Sequence, residues 1–110
     1  MSHYASYIKE REDIDTMEHE HGFAMFKITA GECYIIDIYV EKEHRQKKIA
    51  SDLADAVALY AKGKGCTYLV GSVCPSAKNA TASTKVLFAY GFSLHHIDSD
   101  KNLVMFVKEL

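Results

Sequence analysis

Residues 33–61 constrain this chain more than any other stretch. A run of strand-forming residues, CYIIDIYV, passes through the polar segment EKEHRQKKIA and enters a small-residue helical pattern, SDLADAVALYA. A strand that feeds a polar loop opening directly into a helix turns that helix's unpaired N–H groups and positive end towards the loop. Such a mouth takes anions, phosphate above all. From Ile49 the apolar positions Ile49, Leu53, Val57 and Tyr60 fall on one face, widened by Ala50, Ala54, Ala58 and Ala61. Ser51, Asp52 and Asp55 sit towards the positive end, Lys62 and Lys64 towards the negative end, and Gly63 and Gly65 supply a left-handed stop. YLVGSVC, residues 68–74, then reads as a strand covered on both faces and ended by Pro75. A strand, helix, strand succession of this length predicts a parallel pair joined by a right-handed crossover.

The flanking segments complete a mixed α/β pattern. Tyr4, Tyr7 and Ile8 share a helical face after Ser2, a candidate N-cap, so residues 3–11 read as a short helix, with a strand as the alternative. IDTMEH, residues 14–19, alternates weakly, and FAMFKIT after Gly22 alternates clearly; Ala30 and Gly31 turn the chain, so residues 22–40 read as a hairpin. Residues 79–90 form a second helical pattern opened by Asn79 or Ser76, burying Val86, Leu87 and Tyr90 and stopped by Gly91. Segments 92–97 and 103–107 make a closing hairpin. The 110 residues suit one domain, 1–110, with a single core.

Composition excludes several classes. Apolar residues at 48% and charged residues at 25% describe an ordinary globular chain, not a disordered one. A net charge of −2 gives no general reason for a nucleic-acid or anionic-membrane partner, although His44, Arg45, Lys47 and Lys48 make a local basic cluster. An RNA-binding domain fits that cluster but not the acidic total. The longest apolar run, residues 34–40, is interrupted by Asp37 and falls far short of the ~20 residues a membrane span needs. The first residues lack a secretory pattern, which makes the cytoplasm the expected location. Cys33, Cys66 and Cys74 form no C-x-x-C pair and read as reduced thiols, Cys74 as small buried filler. No metal site is expected, because His19 and His21 lack a third ligand at a useful spacing. His95 and His96 read as strand neighbours facing opposite ways.

Tyr39-Val40, four intervening residues and Arg45-Gln46-Lys47-Lys48-Ile49-Ala50 resemble the acetyl-CoA-binding motif of the GCN5-related N-acetyltransferases (GNAT), Gln/Arg-x-x-Gly-x-Gly/Ala. KVLFAYGF is similar to that family's later motif, which ends in Gly-Phe after a helix. The likeness runs over about residues 22–108 and is also similar to short single-domain members carried by bacteriophages. It implies a mostly antiparallel sheet with one parallel, splayed strand pair and flanking helices. It implies acetyl-CoA as cofactor, with backbone N–H groups of Arg45, Gln46, Lys47, Lys48, Ile49 and Ala50 around the pyrophosphate and charge from Arg45 and Lys47. The pantetheine arm would pair with the backbone of Ile38, Tyr39 and Val40, and Asn79 or Ser83 would hydrogen-bond it.

The implied activity is acetyl transfer to a primary amine. A module that keeps the fold and the cofactor without the reaction is the second reading. Lys48 stands where the family usually has glycine, and fits if its dihedrals are helical. Leu87 stands where a tyrosine commonly protonates the departing thiolate, and Tyr90 is the tyrosine on the neighbouring turn. Asn79 comes one place before the family's usual asparagine position, which here is Ala80. Asp37, the one charge in CYIIDIYV, is either a general base or a buried structural acid bonded to backbone or to Tyr39. Strict alternation groups it with Ile35 and Tyr39, opposite Tyr34 and Ile36, and leaves open which face looks into a cleft. Only a short segment precedes the early strands, so the acceptor side is expected to be open. This suits a protein or peptide amine, or a homodimer whose partner completes the wall. The location implied is the cytoplasm, the host's for a phage-encoded chain.

Overall fold

The computed structural model describes residues 2–45 and 48–110. Its elements are α1 (His3–Glu12), β1 (Asp15–His19), β2 (Gly22–Thr29), β3 (Glu32–Val40), a 3-10 turn (Lys42–His44), α2 (Ile49–Gly63), β4 (Tyr68–Val73), α3 (Ala80–Ala89), β5 (Ser93–Asp98) and β6 (Leu103–Glu109). The strands form one six-stranded sheet in the order β1-β2-β3-β4-β6-β5, antiparallel throughout except where β3 meets β4. The predicted mixed α/β architecture and the parallel crossover are both present.

Local chemistry explains the boundaries. Ser2 Oγ accepts the N–H of Ala5 at 3.0 Å, which caps α1 and decides for helix over strand in the first segment. Ala30 and Gly31 both take positive φ, 49° and 82°, so the β2–β3 turn has the left-handed pair that matches strand twist. Helix α2 buries Ile49, Leu53, Ala54, Val57 and Ala61, the expected stripe, while Tyr60 stays at its margin, edge-on to Phe26. Gly63 is the last helical residue, so the left-handed stop falls on Gly65 alone, φ 87°, followed by the Cys66 N–H bonding back to the Ala61 carbonyl. The core joins Phe26, Cys33, Val57, Leu69 and Phe106, all at most 2% exposed. Full burial of a large apolar side chain contributes about 1.5–3 kcal/mol. No helix among the described residues is long and apolar enough to cross a membrane.

Two features of β3 set up the site. In the β2–β3 ladder Ile35 faces Phe26 while Asp37 faces Met25, so Ile36 is an extra residue in a β-bulge. Strict alternation therefore fails: Cys33 and Ile35, then Ile38 and Val40, turn to the core, and Asp37 no longer shares a face with Ile35. On the other edge, β3 pairs with β4 only at Glu32, Cys33 and Tyr34 among the described residues. Beyond Tyr34, whose hydroxyl hydrogen-bonds the Ser72 hydroxyl, the strands diverge.

Candidate functional site

The divergence opens a cleft of about 520 Å³. Residues 35–40 of β3 form one wall, residues 71–73 of β4 the other, Arg45 and Ala50 the end at the mouth of α2, and Asn79, Ser83, Leu87 and Tyr90 the α3 side. Past Tyr34 the β4-facing edge of β3 has no strand partner among the described residues, which leaves backbone donors and acceptors for an extended, amide-bearing chain.

The α2 mouth has no side-chain cap among the described residues. Lys48 holds the N-cap position, its carbonyl accepts the Asp52 N–H at 2.9 Å, and the N–H groups of the first turn have no partner within the helix. Helical dihedrals were the condition for Lys48 to replace glycine, and the structure overturns that condition. Lys48 is left-handed, φ 60° and ψ 12°, a conformation uncommon for a residue other than glycine. Its side chain is exposed. Arg45 donates from Nε to the Val40 carbonyl at 3.0 Å, tying the loop to the end of β3. Gln46 and Lys47 lie outside the described residues.

Of the other residues singled out by sequence, Asp37, Ile38, Tyr39, Val40, Arg45, Ala50, Asn79, Ser83 and Tyr90 come together around this one cleft. Ile49 does not line it; its side chain is buried in the core, 7% exposed, and only its backbone belongs to the mouth. Asp37 is exposed, which removes the buried structural acid from consideration. Asn79 stands at the N-cap of α3 without a side-chain capping bond, so its amide is not spent on the helix. Tyr90 ends α3, half-buried; burial pushes its phenol above the ordinary value and the Asp55 carboxylate adds to the shift, so it is a protonated hydrogen-bond donor at neutral pH. Its carbonyl accepts Lys108 Nζ at 2.7 Å. Leu87 packs over Gly71, where a Cβ would come within 3.1 Å of Leu87 Cδ2. Sequence reasoning missed Ser72, a cleft residue whose only signal was a hydroxyl in an otherwise apolar strand.

Two side readings are corrected. Cys74 is not buried filler: it is half-exposed at the end of β4, outside the cleft, with Sγ 3.2 Å from Ser76 Oγ. His95 and His96 do not point apart, because a bulge between Leu94 and His96 brings their Nδ1 atoms to 2.5 Å.

A family model described as "Acetyltransferase (GNAT) family" matches residues 12–87, most of the chain and the whole of the β3–α2–β4 crossover. The chain belongs to the GNAT family. Solved structures agree in fold. PaiA N-acetyltransferase of Thermoplasma acidophilum, solved with coenzyme A, superposes with a TM-score of 0.70 at 21% identity over 82% of this chain and 54% of its own. Ard1 of Thermoplasma volcanium gives 0.66 at 19% identity over 82% and 63%. A GNAT acetyltransferase of Elizabethkingia anophelis, solved with acetyl-CoA, gives 0.68 at 18% identity over 84% and 72%. The chain thus spans little more than half of the PaiA structure. A search of curated proteins returned no match. The splayed parallel pair and uncapped helix mouth fit the elongated, diphosphate-bearing cofactor that the GNAT resemblance implies.

Proposed function

We propose that this GNAT chain is an acetyl-CoA-dependent N-acetyltransferase acting on a primary amine, with a protein or peptide as acceptor. The observation that carries the reading is the separation of β3 from β4 beyond Tyr34, ending at the uncapped mouth of α2. Acetyl-CoA supplies an activated acyl group on a thiolate leaving group. The chain's own residues do the rest. Backbone groups of Ile38, Tyr39 and Val40 pair with the pantetheine amides, and Asn79 and Ser83 hydrogen-bond the same arm. First-turn N–H groups of α2, from Ile49 and Ala50, bind the diphosphate with Arg45, Lys47 and Lys48 adding charge and Gln46 completing the loop. Asp37 takes the proton of the acceptor ammonium, directly or through water, and Tyr90 gives its phenolic proton to the departing thiolate.

Exposure of Ile36, Asp37 and Tyr39 on the same strand supports an acceptor presented from outside, a protein or peptide amine, with a second copy of the chain able to complete the wall as a homodimer. The reading places the chain in the cytoplasm, the host's if a phage encodes it. Acetyl-CoA at about 1,000 times its dissociation constant stabilises the fold by about 4 kcal/mol, readable as a rise in melting temperature. No rise with either coenzyme A or acetyl-CoA refutes the proposal. One observation favours a second reading, a coenzyme A-binding module without turnover: Leu87 occupies the position of the family's usual acid. Thiol release with a panel of peptide amines separates the two.

A further inference from the structure

We propose that His21, Glu41 and His44 form a binding site for a divalent transition metal of the zinc class. The three come from separate places in the chain: the β1–β2 turn, the residue after β3, and the end of the 3-10 turn. One ligand atom from each lies within 4.8 Å of the others. Sequence spacing hid the site, because the partners of His21 stand 20 and 23 positions further on.

Backbone bonds prearrange the triad. The Glu41 N–H donates to the His21 carbonyl at 2.8 Å, and the His44 N–H donates to the Glu41 carbonyl at 2.9 Å, so each ligand is fixed to the next through the main chain. Gly22 lets the strands come this close, since a Cβ there would lie 2.1 Å from the Tyr39 carbonyl oxygen. His21 Nδ1 lies 3.4 Å from Glu41 Oε1, and the His21 and His44 rings are stacked with centroids 3.5 Å apart. The stacked rings lie nearly parallel, so binding one ion requires each to turn about its side-chain bonds. Glu20 Oε2 lies 3.9 Å from His21 Nε2, beyond hydrogen-bond distance, as a neighbouring exposed carboxylate. His19 is excluded as a fourth ligand through Nδ1, which accepts the His21 N–H at 3.0 Å.

Two imidazoles and a carboxylate, all half-buried, match the donor set of borderline divalent metals and leave a coordination position for water. Bound there, the metal fastens the β1–β2 turn to the segment that leads into Arg45. The site stands apart from the acetyl-transfer reading and is tested without it. Untagged full-length chain is titrated calorimetrically with zinc chloride, and with cobalt(II) while its visible ligand-field bands are recorded. One equivalent binds, with four-coordinate cobalt bands; His21→Ala and His44→Ala each weaken binding by about 10–100-fold or more. Glu41→Gln, which keeps the side-chain shape, weakens it in the same range, and His95→Ala/His96→Ala binds as the parent does. Absence of one-equivalent binding, or binding that survives in the three site variants, overturns the proposal. So does loss confined to the His95/His96 variant. Circular dichroism confirms that each variant is folded, and Glu41→Gln carries the test if a histidine variant is not.

Discussion

Lys48 offers a quantitative test of the α2 mouth. Its left-handed backbone brings Cβ against the carbonyl that follows, at a cost of about 1–2 kcal/mol for a residue other than glycine. Glycine at the same place escapes that cost but carries about 0.4–1 kcal/mol more chain entropy into the unfolded state. The difference predicts Lys48→Gly more stable than Lys48→Ala by about 1 kcal/mol, since alanine keeps the strained Cβ and removes the same charge. For a domain near 100 residues this is roughly 4–8 °C in melting temperature. Urea denaturation followed by circular dichroism measures it, with parent, Ala and Gly chains compared at one salt concentration. If Lys48→Gly is equal to Lys48→Ala or less stable, residue 48 is not left-handed, and the description of the mouth is wrong.

Leu69→Ala, near the start of β4 and 2% exposed, should cost about 2–5 kcal/mol in the same assay. Tyr90→Phe should lower kcat for acetyl transfer by about 100-fold while leaving coenzyme A affinity and stability close to parent values; an unchanged kcat removes Tyr90 as the acid. Native-state alkylation with iodoacetamide should label Cys74 first, because the Ser76 hydrogen bond lowers its thiol and exposes more thiolate at a given pH, whereas Cys33 is pushed up to about 12 by burial and should not react until the chain unfolds. The sign for stability follows from the same burial: the unfolded Cys33 thiol ionises from about its ordinary 9.0 while the folded one does not, so stability should fall as pH rises from 9.0 towards 12. A denaturation midpoint flat across that window in the parent chain contradicts the buried thiol.

Much of this architecture was legible because local chemistry and tertiary demand agree. The stripe from Ile49 to Ala61, the Gly65 and Gly91 stops, the Ala30-Gly31 turn and the apolar run of β4 each carry one message, and the fold obeys it. Asn79, Ser83 and Tyr90 were found through the family motif, which orders the chain's pieces around a cofactor, and Asp37 as the one charge in an apolar strand. Three things were hidden. The bulge at Ile36 depends on how β2 pairs with β3, a register that no count within one strand reveals. Left-handed Lys48 goes against residue preference, so no propensity read along the chain points to it. The His21, Glu41 and His44 cluster is assembled by a hairpin end meeting a strand end, so distance along the chain concealed it.

The inserted residue at position 36 does two jobs in one stroke. It swings an acid outwards just where the seam between the parallel strands comes undone, so reactive group and opening share one origin. Were β3 instead to alternate strictly through Ile36, Asp37 would share the packed side with Ile35 and an uncompensated carboxylate would enter hydrocarbon. Excising Ile36 would leave Asp37 opposite Met25 and still outward, and would take away only the kink where the two parallel strands part.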